Sequence, residues 1–431
     1  MGITLNRRGL VPTRTAVFRV DAGPDTGMGH FMRCRTLAFA MIQRNWIVYF
    51  VGRGLSVDLL EFRRGDIDSA IRLIKFEDFP SSHDDVASFF GILAGQFGWL
   101  VDCVVIDTYR YCRDDFAFLQ RFNAGKVPVV VIDDLADRDT PAQAVINPNP
   151  LFDPMPYERQ KIPLILCGEK YTLIRPEICS LIGRQYRNDG PVLVTLGGGD
   201  VVEPMLKVLQ AIPEDIGKRI CVSVSGNCPR AELDEWVSRH PTERFINSDT
   251  RLFPDLLASA SMALTAGGTT LWEVYALGIP SICLLWVDNQ RQTSVIIKEQ
   301  ATSFLVDVVS RINLELKSEW LDNGLKTIVK TVGEPVQTRS LQQAGFCADE
   351  VINREKTSLG VTNSELIDTG FINRAMARLG SEPEFWQQMT SRQQKLIDGQ
   401  GVKRCVDELE GLKWQSVQLF EADWRREYEN W

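Results

Sequence analysis

The stretch Ala266-Gly267-Gly268-Thr269-Thr270-Leu271-Trp272-Glu273 decides the fold of this chain. The apolar run 261–265 before it predicts a buried strand, which turns through two glycines into a helix that starts at the threonines. Bare backbone N–H groups at such a helix start, together with the helix dipole, bind phosphate. We therefore predict a diphosphate site formed by Gly267, Gly268, Thr269 and Thr270. Its late position in the chain argues against a dehydrogenase, in which the glycine-rich turn follows the first strand.

Residues around this turn extend the predicted nucleotide site. Glu273 lies one helical turn beyond the glycines, where a carboxylate can accept hydrogen bonds from a ribose diol. The next strand ends just before Asn289 and Gln290, and we predict that these two contact a sugar. The alternative for them is that they only begin the next helix, because asparagine is a good helix cap. Gly197 and Gly198 follow an earlier strand and are predicted to face the phosphates from the other side.

A matching turn lies near the N-terminus. The apolar run 16–20 predicts a strand, and a glycine-rich segment then leads to a helical pattern over 31–44. The chain has three histidines, His30, His83 and His240, and only His30 lies at such a turn. The carboxyl ends of parallel strands are where ligands bind, so His30 is where we expect chemistry. The alternative is that His30 only packs the turn.

The composition narrows the class of protein. A chain of 431 residues is too long for one ordinary core, so two domains are expected. A net charge of −8 argues against a nucleic-acid partner. The sequence contains no run of about 18 apolar residues, so no membrane-spanning helix is expected. The N-terminus lacks the pattern of a signal peptide. The ten cysteines form no Cys-x-x-Cys pair, which favours buried thiols in a reducing cytoplasm over zinc or disulfides.

Short β-rich runs alternate with helical runs through most of the chain, which predicts an α/β fold with two doubly wound parallel sheets. We expect an N-terminal domain over 14–180 and a nucleotide-binding domain over 190–310, facing each other across a cleft. The pattern fades over 311–368, which we interpret as a helical insertion. Helices over 369–431 are expected to complete the second domain. The aromatic end 414–431 is interpreted as a docked helix, or else as an oligomer contact.

A series of motifs resembles one family of enzymes. The segments occur in the family's order and are Gly-Met-Gly-His-Phe-Met-Arg-Cys (27–34), Val-Ile-Asp-Thr-Tyr (105–109), Val-Ile-Asp-Asp-Leu-Ala-Asp-Arg (131–138), Cys-Gly-Glu-Lys-Tyr-Thr-Leu-Ile-Arg-Pro-Glu (167–177), Leu-Gly-Gly-Gly-Asp (196–200), Ala-Gly-Gly-Thr-Thr-Leu-Trp-Glu (266–273), Asp-Asn-Gln (288–290) and Lys-Leu-Ile-Asp-Gly-Gln-Gly (395–401). They resemble the hydrolases of UDP-2,4-diacetamido-2,4,6-trideoxy-β-L-altropyranose, which act in pseudaminic acid biosynthesis. Gly199 and Thr269 stand where that family usually has serine.

The resemblance implies a fold and roles for the first motif. It implies two Rossmann-like domains in the glycosyltransferase-B arrangement and kinship with the enzyme that adds N-acetylglucosamine to lipid I. His30 would be the general base that activates water, with Tyr109 orienting the water or the sugar and Asp107 hydrogen-bonding His30 or the sugar. Gly27, Gly29 and Arg33 would contact the sugar.

The sequence therefore predicts a cytoplasmic, inverting hydrolase that releases UDP from a UDP-(2,4-diacetamido-trideoxy)hexose. UDP is a good leaving group, so we expect neither a metal nor a cofactor. The first alternative is a glycosyltransferase with the same donor site, in which 311–368 would build an acceptor pocket. The second is a nonenzymatic nucleotide-sugar-binding protein, which would be favoured if His30 proved dispensable.

Overall fold

The computed structural model describes residues 14–23, 28–55, 71–98, 100–123, 127–197, 201–214, 216–225, 228–239, 243–287, 290–310, 312–314, 329–331 and 366–411. These residues form two compact units. The first contains the described residues up to Leu173 and those from Gln400 onward, and the second lies within Ile174–Gly399.

The first unit is built on a seven-stranded parallel sheet. Its strands lie in the order β3-β2-β1-β4-β5-β6-β7. They are β1 (Arg14–Val20), β2 (Trp46–Gly52), β3 (Ile71–Lys75), β4 (Cys103–Asp107), β5 (Val129–Ile132), β6 (Ala144–Asn147) and β7 (Leu164–Cys167). The order reverses direction between β1 and β4, and open α/β sheets bind ligands at the carboxyl ends beside such a reversal.

Helices cover both faces of this sheet. They are α1 (Gly29–Gln43), α2 (Ser82–Gly95), α3 (Arg113–Asn123) and α4 (Met155–Arg159). One core cluster joins α1 to alternate residues of β1 such as Phe18 and Val20. A second cluster joins α2 and α3 to the other face, through residues such as Val17 and Ile106. Burial on both faces explains why the strands read as nearly continuous apolar runs.

The second unit repeats this architecture. Its sheet has the order β10-β9-β8-β11-β12-β13-β14-β15, and its first six strands repeat the pattern of β3-β2-β1-β4-β5-β6. The strands are β8 (Val192–Thr195), β9 (Ile220–Ser223), β10 (Arg244–Asn247), β11 (Met262–Ala266), β12 (Ser281–Leu285), β13 (Phe304–Asp307), β14 (Ile312–Leu314) and β15 (Val329–Thr331). The helices are α5 (Pro176–Cys179), α6 (Val202–Gln210), α7 (Ala231–Ser238), α8 (Phe253–Ser259), α9 (Thr269–Leu277), α10 (Arg291–Gln300), α11 (Thr369–Ser381) and α12 (Pro383–Leu396). The predicted α/β class with two doubly wound sheets is confirmed.

Within 311–368 the structure departs from the predicted helical insertion. Two short segments there, β14 and β15, are antiparallel strands that extend the sheet beyond β13. Backbone pairing at an open sheet edge satisfies their N–H and C=O groups, which outweighs a moderate helical periodicity. Most of 311–368, and the aromatic end 414–431, lie outside the described residues.

The last described helix, α13 (Gly401–Gly411), packs on the first unit. The prediction that the helices over 369–431 complete the second domain is therefore wrong for α13. Its apolar face joins the core cluster that contains α1, with Val402, Cys405, Val406 and Leu409 all buried. Gly401 lies so close to the backbone of Thr172 that an added Cβ would stand 2.1 Å from its carbonyl oxygen.

No helix among the described ranges is long and apolar enough to cross a bilayer.

Candidate active site

Three neighbouring strands bring the candidate catalytic residues of the first unit to one edge of the sheet. β1, β4 and β5 are adjacent and parallel, so their carboxyl ends meet at the same edge. His30 lies in the first turn of α1, which follows β1. Asp107 is the last residue of β4, and Asp134 follows β5 in a loop.

His30 and Asp107 form a close pair. The distance between His30 Nδ1 and Asp107 Oδ1 is 2.5 Å. The His30 side chain keeps 13% of its surface exposed, whereas Asp107 keeps 1%. An ionised carboxylate only accepts hydrogen bonds, so a neutral His30 donates from Nδ1 and presents Nε2 as an acceptor.

Arg33 holds the Asp107 carboxylate in its charged form. Arg33 Nε donates to Asp107 Oδ2 at 2.6 Å, and Nη2 donates to Oδ1 at 2.7 Å. Burial alone would raise the pKa of Asp107, but the charges and hydrogen bonds of Arg33 and His30 hold it well below its usual range. Arg33 is only 5% exposed and is engaged with carboxylates. Its contact with a sugar stays a prediction, and its contact with Asp107 was not predicted.

Tyr109 forms one side of the imidazole's surroundings. Its ring meets the His30 ring edge-on, with 4.4 Å between centroids. Its hydroxyl donates to the Asp134 carboxylate, 3.0 Å from each oxygen. Burial, and then the charge of Asp134, raise the pKa of Tyr109, so the phenol stays protonated and donates its hydrogen bond to Asp134.

The carboxylates of the neighbouring residues Asp133 and Asp134 have different hydrogen-bond partners. The Asp133 side chain accepts from the backbone N–H groups of Leu135 and Ala136 and from the Tyr157 hydroxyl, so it braces its own loop. This agrees with the hydrogen bonding expected for a loop aspartate. Asp134 instead accepts from Arg33 Nη1 at 2.7 Å and belongs to the His30 cluster. Asp134 was not among the site residues predicted from the sequence.

The backbone just before the His30 loop is clamped. Buried Arg19 donates to Asp21 at 2.5 Å, and the backbone N–H of Arg53 donates to the same carboxylate at 2.9 Å. Gly52 and Gly54 also lie very close to this backbone. An added Cβ at Gly52 would stand 1.6 Å from the carbonyl oxygen of Val20, and one at Gly54 would stand 1.8 Å from that of Ala22. The backbone of residues 20–22, at the end of β1, is therefore held in place.

In the second unit, the two glycines of the predicted phosphate turn have different reasons for being glycine. An added Cβ at Gly267 would stand 2.1 Å from Leu285 Cδ2, and Thr293 Oγ1 donates to the Gly267 carbonyl oxygen at 2.7 Å. Gly267 is thus required by packing. An added Cβ at Gly268 would meet nothing within 4 Å. Only Gly268 leaves its α-carbon open to a ligand.

The helix that follows has the form predicted from the sequence. α9 starts at Thr269, with Gly268 as N-cap, and none of the described side chains caps it. The first N–H groups of a helix have no partner within the helix, so those of Thr269 and Thr270 are suited to an anion. Their contact with a diphosphate stays a prediction.

Glu273 has a partner that the sequence did not predict. Arg175 donates from Nε and Nη2 to its two carboxylate oxygens, at 2.5 Å and 2.8 Å. Burial raises the pKa of Glu273, although Arg175 opposes this. A carboxylate that accepts a bidentate arginine still has one lone pair on each oxygen. The ribose contact therefore stays a prediction, with only 5% of the side chain exposed.

The structure describes some of the remaining residues that were predicted to contact the ligand. Gly29 begins α1, and an added Cβ there would meet nothing within 4 Å. Gly197 has a φ of +107°, a conformation that favours glycine. Gln290 precedes α10, and its buried Oε1 has no hydrogen-bond partner among the described residues. Gly27, Gly198 and Asn289 lie outside them.

The comparisons with known proteins place this geometry in a known fold. No protein-family model matches the chain. Over 116 residues the chain is 28% identical to SpsG, a spore coat polysaccharide biosynthesis protein of Bacillus subtilis (strain 168). That match covers 26% of this chain and 34% of SpsG, so the chain aligns with about a third of that relative's length.

Similar solved structures span nearly the whole chain. The UDP-GlcNAc 2-epimerase of Neisseria meningitidis, solved with UDP-GlcNAc, has a TM-score of 0.53 at 12% identity and covers 92% of this chain and 100% of its own. The forosaminyltransferase SpnP has a TM-score of 0.52 at 12% identity, covering 93% and 99%. MurG of Acinetobacter baumannii has a TM-score of 0.50 at 12% identity, covering 93% and 100%. The chain shares with them the two-domain α/β fold of the glycosyltransferase-B class.

Proposed function

We propose that this chain is an inverting hydrolase that cleaves the glycosyl–phosphate bond of a UDP-sugar. The pair of His30 and Asp107 carries the proposal, because it is an oriented base at the ligand-binding edge of a doubly wound sheet. The resemblance of the motifs around both residues supports a 2,4-diacetamido-trideoxyhexose as the sugar in this proposal. SpsG, described as a polysaccharide biosynthesis protein, and the UDP-GlcNAc-bound epimerase support a nucleotide-sugar substrate.

The reaction follows from the hydrogen bonds of the imidazole. Asp107 accepts the Nδ1 proton of His30, so Nε2 takes a proton from a water molecule. The water oxygen attacks the anomeric carbon while the bond from that carbon to the UDP oxygen breaks, and UDP leaves with the electron pair. The negative Asp107 stabilises the imidazolium that forms. Because one water attacks opposite the leaving group, the free sugar has inverted configuration.

The nucleotide belongs to the second unit in this proposal. The start of α9 supplies two backbone N–H groups and the positive end of the helix dipole for the diphosphate. Gly268 lets the phosphates approach the backbone, and Glu273 takes the ribose through the lone pairs that Arg175 leaves free. The diphosphate charge is met by amides, so no divalent ion is needed for the step.

Substitutions at the two glycines should affect different properties, UDP affinity at Gly268 and protein stability at Gly267. Gly268→Val should leave the protein folded and weaken UDP binding by at least about 10-fold, because its side chain fills open space where phosphates would lie. Gly267→Ala should instead destabilise the protein by about 1–3 kcal/mol, because its Cβ collides with Leu285. Calorimetric titration with UDP and thermal unfolding of each variant test this. Unchanged UDP affinity in the Gly268 variant would remove the diphosphate assignment.

The proposed reaction is tested by a screen of UDP-sugars for UDP release, with and without added sugar acceptors. The wild-type chain should release UDP without an acceptor, and NMR of the fresh product should show the inverted anomer. Retained configuration would require a covalent intermediate and contradict the mechanism. Release that depends on an acceptor would favour a glycosyltransferase, the alternative suggested by the fold shared with SpnP.

A further inference from the structure

Asp134 is a member of the His30 cluster to which neither the family resemblance nor the proposed reaction gives a role. Its side chain is 17% exposed and lies in the loop after β5. Asn149 Nδ2 donates to its backbone carbonyl at 3.0 Å, and the preceding Asp133 braces the same loop. Asp134 is therefore a carboxylate held at a fixed place beside the imidazole.

This carboxylate connects two groups that surround His30. Tyr109 donates its hydroxyl to both Asp134 oxygens, which sets the phenol as a donor toward the loop and keeps its ring against the imidazole. Arg33 donates Nη1 to Asp134 while its other edge binds Asp107. The guanidinium is planar, so two carboxylates on its two edges fix its plane.

The same guanidinium touches the base. Arg33 Nη2 lies 3.0 Å from His30 Nδ1 and 2.7 Å from Asp107 Oδ1. A shift of Arg33 would therefore change the donor and acceptor groups around Nδ1. Catalysis by a positioned base is sensitive to displacements of about 1 Å, which can cost about 10²-fold in rate.

From these contacts we infer that Asp134 is a positioning residue for His30. It fixes the imidazole from two sides, through the ring of Tyr109 and through the plane of Arg33. This inference rests on the proposed function, since it assigns Asp134 to the same site. Asp134 itself contacts no reacting atom and acts through its neighbours.

The test compares Asp134→Asn with Tyr109→Phe and with the double variant. Asp134→Asn keeps the size of the side chain and removes its charge, and Tyr109→Phe keeps the ring and removes its hydroxyl. Asp134→Asn should lower kcat about 10- to 100-fold with KM within about 2-fold, because orientation and not binding is lost. Since Asp134 acts partly through Tyr109, the double variant should lose less than the product of the two single losses.

Asp139→Asn is the matched control, because Asp139 lies in the same loop with 55% of its side chain exposed. It should keep wild-type kcat. A kcat of Asp134→Asn within 2-fold of wild type would overturn the inference, and so would single losses that multiply fully in the double variant.

A second readout separates this inference from the proposed function. The chain has three histidines, so histidine labelled with ¹³C at Cε1 yields three imidazole signals, and the one missing in His30→Asn belongs to His30. Asp134→Asn should move that signal, while Asp139→Asn should leave it in place. A wild-type chain that releases no UDP would overturn the proposed function. The imidazole signal would then decide whether Asp134 positions His30. An unmoved His30 signal in Asp134→Asn would overturn the positioning role.

Discussion

Replacing His30 by asparagine should lower turnover by about 10²–10⁴-fold, the usual contribution of a general base. The protein should stay folded and keep most of its affinity for UDP, because the predicted diphosphate contacts belong to the second unit. Measurement of kcat for UDP release, together with calorimetric titration of UDP, gives both quantities. The affinity tells loss of chemistry apart from loss of the binding site.

His83→Asn is the control for this change. His83 lies in the first turn of α2 and is exposed, so the same substitution there should leave turnover at the wild-type level. Near-normal turnover in His30→Asn would exclude His30 as the base. A glycosyltransferase with another base would then be the favoured alternative.

Asp107→Asn should impair both turnover and stability. Without a carboxylate on Nδ1, nothing holds His30 in the tautomer that presents Nε2, so turnover should fall on the order of 10²–10⁴-fold. The substitution also removes one of the two carboxylates that pair with buried Arg33. Breaking a buried pair by removing one partner costs about 3 kcal/mol or more. Assays of UDP release and urea unfolding followed by circular dichroism measure the two effects.

The stability effect of Asp107 has a defined pH dependence. The pKa of Asp107 in the folded protein lies below its ordinary value of 3.8, so its contribution is present above that value and is lost as the pH falls through the folded-state pKa. The stability difference between wild type and Asp107→Asn should thus be present at pH 7 and narrow below pH 3.8. A difference that appears only in acid would have the opposite sign and contradict the assignment. Asp139→Asn, at an exposed carboxylate, should show little difference at either pH.

Much of the fold was predictable because buried strands and helical repeats leave strong local patterns. The predicted strands 16–20 and 261–265 correspond to the observed β1 and β11, and the predicted helix 31–44 corresponds to α1. Contacts between distant segments leave no such pattern. The helical periodicity of α13 shows that it has an apolar face, but does not show which unit that face covers. Two short segments of the predicted helical insertion 311–368 are the strands β14 and β15, because their backbones pair at the edge of the sheet.

The candidate site was predictable in outline for a similar reason. His30, Asp107 and the doublet at 133–134 each lie at the end of a strand or after it, and the parallel order places those strand ends together. Spacing alone does not show which aspartate of the doublet turns toward His30, because that depends on the hydrogen bonds of Asp133 with its own loop. The pairing of Arg175 with Glu273 joins residues 98 positions apart and has no local signal.

The position of α13 in the chain has a consequence for biosynthesis. The ribosome makes residues 174–399, which contain the whole second unit, before it makes Gly401–Gly411. Until then the side of α1 that Val402 and Val406 cover, and the Arg44 side chain that pairs with Asp407 and Glu410, lack their partners. The part of the protein translated first is therefore the part completed last, and the nascent chain must keep an apolar surface of its first unit out of other contacts while the second unit is being made.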